Sequence, residues 1–151
     1  MDILTFMKNN ESVINQIERI VDRETTGWQT KDVEKLLSIF HPDFVWVWPP
    51  TNKDHDPITW ESPLGRFDQK RWRDFYAAFF SSHTLVHNHR ETKKIVLTKD
   101  GRGAFAVVDI DTLWKDKQGN TAHWFGRVCK VYSLVQDDWK LIMHTGTLVY
   151  P

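Results

Sequence analysis

Cysteine is nearly absent: Cys129 is the single one in 151 residues, so no internal disulfide can staple the chain. Cysteine usage of this kind fits a reducing cytoplasm. An excess of one charge is missing too. Twenty Lys and Arg balance twenty Asp and Glu, which leaves no basic stripe for nucleic acid and none for an anionic membrane. No apolar run approaches the length of a bilayer span, and MDILTFMKNNESV at the start lacks the basic and apolar regions of a secretory signal. Repeats, low-complexity segments and linkers are lacking, so a single domain over residues 1–151 is expected, long enough to bury a core unaided. Phosphate-binding loops, dinucleotide fingerprints and Ser-centred elbows are missing as well.

Aromatic residues are in surplus, with eight Trp, nine Phe and three Tyr. Two readings account for them: unusually large core residues, or an apolar cavity or subunit interface that they line.

Periodicity orders the chain. Val13, Ile17, Ile20 and Val21 fall at helical spacing and predict a helix from Glu11 to Thr26, stopped or bent by Gly27. A shorter helix is predicted over Lys31–Phe40, with Asp32 near its N-terminus. FVWVW, Phe44–Trp48, reads as a strand between Pro42 and Pro49-Pro50, and residues 49–65 as a long loop of the kind that forms lids. Asp68–Ser81 is a helix with a broad aromatic face. Strands follow at Thr84–Leu97, possible to break near Thr92, and at Ala104–Trp114. Two more flank the Gln136-Asp137-Asp138 turn. In the first of these, Trp124, Val128, Tyr132 and Leu134 alternate with His123, Phe125, Arg127, Cys129 and Val131. In the second, Trp139, Leu141 and Met143 share one face, and Ile142 and His144 the other. Helices followed by a strand meander predict an α+β fold, with helices on one face of a curved antiparallel sheet.

Several groups could carry chemistry. Asp109 and Asp111 project from one face of a strand, together with Phe105, Val107 and Leu113. On the concave side their carboxyls would titrate high and serve as acid or base; on the outer side they are solvated, paired charges. Arg127 and His144 belong to neighbouring strands, as an anion holder and proton shuttle or as structural partners. His83, His87 and His89 cluster, and His123 could approach them. His-x-His on a strand is a possible metal pair if Glu91 or Asp111 adds a third ligand, although pocket-wall or surface histidines are the plainer reading, and no metal is expected. Cys129 reads as a small core residue. Trp48, Trp60 and Tyr76 are expected at a pocket wall, from a strand end, the lid loop and the facing helix.

The segments WQTKDVEKLLSIFHPDFVWV, SPLGRFDQKRWRDFYAAFF and WKLIMHTGT resemble the second helix, third helix and closing strand of the nuclear transport factor 2-like superfamily. That group includes ketosteroid isomerase and the SnoaL-like cyclases. The resemblance implies an α+β cone with an internal pocket between sheet and helices, and a homodimer through the sheet. Anchored on Asp32–Phe44, it puts the isomerase's catalytic Asp near Trp48, its oxyanion Tyr near Glu24 and its protonated Asp near Val128–Lys130. None of those residue types is there, which argues against ketosteroid isomerisation by that machinery.

The expected function is therefore a SnoaL-like small-molecule-binding protein with an aromatic-lined pocket. If catalytic, it would perform isomerisation, dehydration, cyclisation or hydrolysis of a ring-bearing substrate without a cofactor. Asp109 or Asp111 would be the base, His144 the proton partner and Arg127 the oxyanion support, with Trp48, Trp60, Tyr76 and His123 contacting a small apolar or aromatic ligand. A non-catalytic ligand carrier and a dimeric interaction domain with a filled cone are the alternatives.

Overall fold

The computed structural model of the chain describes residues 3–47 and 56–149. Helix α1 spans Ile3–Thr30. It buries Ile17, Val21, Glu24 and Trp28, which recur at the three- and four-residue spacing of one helical face. It runs straight through Gly27, where a stop was expected. The missing side chain has a different use: a Cβ there would lie 2.8 Å from Leu36 Cδ2, so glycine lets the next helix pack against α1. The actual stop is Lys31, at φ 56°. Asp32 N–H donates to Gly27 O at 2.9 Å and Lys31 N–H to Trp28 O at 3.4 Å, the paired bonds of a Schellman ending. Lys31 Nζ then donates to Phe80 O and His83 O, at the end of a third helix.

Helix α2, Val33–Leu37, is shorter than expected, with Asp32 as its N-cap. Strand β1 begins early, at Phe40, and runs to Trp46. The cause is tertiary: Phe40 pairs with Leu141. As an edge strand, β1 tolerates Pro42. Helix α3, Gln69–Ser82, starts on an Asp68 cap and buries Trp72, Tyr76 and Phe80 at four-residue intervals. Four long strands follow: β2 (His83–Leu97), β3 (Gly103–Asp116), β4 (Thr121–Val135) and β5 (Asp138–Val149).

The sheet order is β1-β5-β4-β3-β2. Pairing is antiparallel from β2 to β5, but β1 lies parallel to β5. The sheet is thus mixed and open, a correction to the all-antiparallel expectation. The helices cover one face. On it, β3 buries Ala104, Ala106, Val108, Ile110, Thr112 and Trp114, and β4 buries Val128, Lys130 and Tyr132.

Register shifts at three points decide which residues reach that face. In β2, the pairing skips Val86 and Lys93, so Leu85, Asn88, Arg90 and Thr92 all oppose inward residues of β3. In β5, Val131 pairs with Met143 and Tyr132 with Leu141, which leaves Ile142 extra. A single extra residue reverses the side-chain alternation. His144 therefore joins Leu141 on the inner face, and Met143 turns outward, contrary to simple alternation.

Gly146 of β5 pairs with Val128 of β4 and leaves no room for a side chain. A Cβ there would meet Arg127 O at 2.4 Å and Val128 Cα at 2.6 Å. Both are backbone atoms and cannot rotate away. Gly146→Ala is expected to destabilise the fold by about 3 kcal/mol. Urea unfolding would read this as a midpoint lower by about 1 M or more.

Candidate functional site

The inner face carries a buried charge cluster drawn from α1, β2, β4 and β5. Lys130 Nζ, with a fully buried side chain, lies 2.8 and 3.0 Å from the two Glu24 oxygens and 3.1 Å from His144 Nδ1. Those three contacts use all three ammonium hydrogens. Because Lys130 donates, His144 Nδ1 accepts, and the neutral imidazole carries its proton on Nε2. Arg90 Nη1 donates to Glu24 at 3.3 Å, with its side chain 4% exposed. Its guanidinium lies over the Trp28 ring at 5.9 Å and its Nε donates to Asn88 Oδ1. Asn88 in turn accepts from Thr112 and donates to Thr25 O, so the cluster is braced by polar partners.

The electrostatics follow from this arrangement. Burial pushes the Glu24 carboxyl up, but the fields of Lys130, Arg90 and His144, with the Lys130 hydrogen bond, outweigh it and hold the carboxyl at about 2. Burial pulls the Lys130 ammonium down to about 8, against the attraction of Glu24. Burial and then Lys130 drive His144 well below its usual range, so it is neutral at physiological pH. With Glu24 ionised and Lys130 and Arg90 protonated, two buried cations face one buried anion.

Glu24, Arg90 and His144 form the polar end of a cavity of about 30 Å³, whose walls include Trp28, Phe44, Trp46, Tyr76 and Trp124. That volume holds about one or two waters. The aromatic walls interlock: Trp28 meets Tyr76, Phe80 and Trp124 edge-on at centroid distances of 5.2–5.5 Å. The aromatic surplus thus mostly fills the cone.

The residues expected to act together are divided between two faces. His144 and Tyr76 line the inner cavity. Asp109, Asp111, Arg127 and His123 lie on the outer face, because inward positions of β3 and β4 are the even-numbered ones. There Arg127 holds Asp109 in a bidentate pair at 2.6 and 2.9 Å, and Asp111 accepts from His87 and His123. Both carboxyls titrate below their ordinary value, Asp109 through the Arg127 hydrogen bond and Asp111 through its two imidazoles. A raised value, expected of a concave-face base, is not found at either. A single site with Asp109 or Asp111, Arg127 and His144 is therefore not formed: the sheet separates them. Trp60 follows a short 3-10 turn, Pro57–Thr59, and does not border the cavity. Trp48 lies outside the described residues.

Glu24, Arg90 and Lys130 escaped the sequence reading, though two left a signal. Glu24 stands at the seventh position after Ile17 on the apolar stripe of α1, and Lys130 between Val128 and Tyr132 on the inner face of β4. A charge inside an apolar stripe is costly unless partnered, and each is the other's partner.

No protein family matches the sequence, and no curated protein does. Solved structures do match in fold. A ketosteroid isomerase-like protein from Erwinia carotovora atroseptica superposes with TM-score 0.67 and 13% identity, covering 91% of this chain and 96% of that one. A putative scytalone dehydratase from Novosphingobium aromaticivorans gives 0.68 and 11%, covering 92% and 85%. An NTF2-like protein from Cytophaga hutchinsonii gives 0.62 and 17%, covering 88% and 95%. The fold is the nuclear transport factor 2-like cone; at these identities the likeness extends to the fold alone.

Glu24→Gln strands both cations and is expected to destabilise the chain by about 3–5 kcal/mol at pH 7. The Glu24 carboxyl titrates lower in the folded than in the unfolded chain. Its contribution is therefore complete above the ordinary value of 4.5 and fades as pH falls toward about 2. Denaturation followed against pH should show the gap between wild type and Glu24→Gln narrowing across that acid range.

Proposed function

We propose that this chain binds a compact, ring-bearing molecule in its inner cavity through an oxygen that carries or develops negative charge. Proton transfer at that oxygen, of the isomerase or dehydratase kind, is the chemistry this reading assigns. The observation that carries it is the buried excess of one cation among Glu24, Arg90, Lys130 and His144 at the polar end of an aromatic-walled cavity. An uncompensated buried charge is expensive, and an anionic oxygen beside Arg90 and His144 would neutralise it. His144 suits the role, since its neutral ring donates from Nε2 without adding charge. A donor in a dry site stabilises a developing oxyanion more than the same donor in water. The part first assigned to Arg127 thus passes to Arg90 and His144. The isomerase-like and dehydratase-like proteins among the fold neighbours are in keeping with this chemistry.

The small cavity favours a second reading. At about 30 Å³, any ring enters only if wall side chains turn aside. A cone filled this well also suits an interaction domain, with a second copy seated on the outer face of the sheet, where Val96, Phe105 and Phe125 are exposed. A ligand carrier shares the first reading's binding and differs only in releasing no product.

Trp28, Trp46 and Trp124 border the cavity, so tryptophan fluorescence reports on its contents. Titration at pH 7, where Lys130 keeps its proton, with substituted phenols acidic enough to be ionised at that pH is expected to give saturable quenching. His144→Ala should weaken it by about tenfold or more, and Asp109→Asn, on the other face, should leave it unchanged. Absence of saturable binding by any phenolate, together with a concentration-dependent dimer in sedimentation, would establish the second reading instead.

A further inference from the structure

The outer face of the sheet holds a second convergence of polar groups, unconnected with the inner cavity. Leu113 of β3 has His87 of β2 as its partner on one side and His123 of β4 on the other. Both histidines reach along β3 to Asp111, two residues away on the same face. His87 Nε2 and His123 Nε2 each lie 2.7 Å from Asp111 Oδ1. The three side chains are about one-third exposed, and their ligand atoms all lie within 4.8 Å of one another.

We propose that His87, Asp111 and His123 bind a divalent transition-metal ion of the zinc class. Two imidazole nitrogens and one carboxylate oxygen form the donor set that such ions take when some coordination positions stay open. The three donors come from three adjacent strands whose register fixes them. No loop has to close to bring them together. At metal–ligand distances of about 2.0–2.2 Å, donor atoms around one ion stand about 3.2–3.5 Å apart. The two N···O contacts, 2.7 Å each, therefore widen by about 0.5–0.8 Å as the ion takes the place of the bridging hydrogens, a shift that partly exposed side chains can make.

The place offers access as well as ligands. Asp111 borders an outer groove of about 600 Å³, together with His89, Asp109, Phe125 and Arg127. Water or an anionic group in that groove could complete the coordination shell. Asp109 and Arg127 neutralise each other, which leaves the ion's charge to attract such a group. His89 stacks on His87 at 5.2 Å but is not one of the three converging donors.

The test is calorimetric titration of chelator-treated full-length protein with Zn²⁺, repeated with Co²⁺ to read visible absorption. One ion per chain is expected, with Co²⁺ bands of a four- or five-coordinate site. Asp111→Asn and His123→Ala should each weaken Zn²⁺ binding by about tenfold or more, while His89→Ala changes it by less than about threefold. Melting curves of the metal-free variants separate loss of ligand from loss of fold. Saturation that survives Asp111→Asn and His123→Ala in folded protein, saturation lost in His89→Ala alone, or no saturable uptake would overturn the assignment.

Discussion

Lys130 can be buried only because Glu24 is there. Its ammonium lies in the centre of the core on β4, where leaving it unpaired would cost more than most single interactions contribute. The partner arrives from α1, 106 residues away in sequence. This ion pair fixes how far along the sheet the helix sits, because any slide would break short, directional contacts. The apolar stripe of α1 supplies burial, which is non-directional. The ion pair supplies register. Arg90 and His144 then settle around it, and the shape of the cavity follows from their positions.

Much of the fold was legible in the sequence because its signals are local. The α3 stripe, Asp32 at the start of α2 and the alternation in β3 and β4 all translate directly into the elements found. The inner site was less legible for two physical reasons. First, a buried charge looks like a surface residue unless its place on an apolar stripe is counted, as with Glu24 and Lys130. Second, register shifts reverse the alternation. His144 and Arg90 reach the inner face only because Ile142 and Val86 are extra residues in their strands, and strand pairing is a long-range property. Asp109, Asp111 and Arg127 stood out as candidates by residue type; the parity of β3 and β4 puts them outside.

The resemblance adds a point of chemistry. The positions where it put the isomerase's oxyanion Tyr and protonated Asp, near Glu24 and near Val128–Lys130, are the places from which this chain draws its buried ion pair. The same cone therefore holds a different electrostatic design. A protonated acid and a phenol donate without carrying charge, whereas Glu24 with Lys130 and Arg90 forms a cluster that is net cationic at neutral pH.

Ile142 gives this site an unusual relation to the length of its own strand. Because Ile142 is surplus to the pairing on both sides of it, losing its codon would close the bulge and leave Met143 against Val131 and His144 against Lys130. Losing or gaining a codon with the bulge kept would instead turn His144 outward. The polar end of the cavity is thus buffered against one deletion in its own strand, at the position where the strand holds a residue to spare.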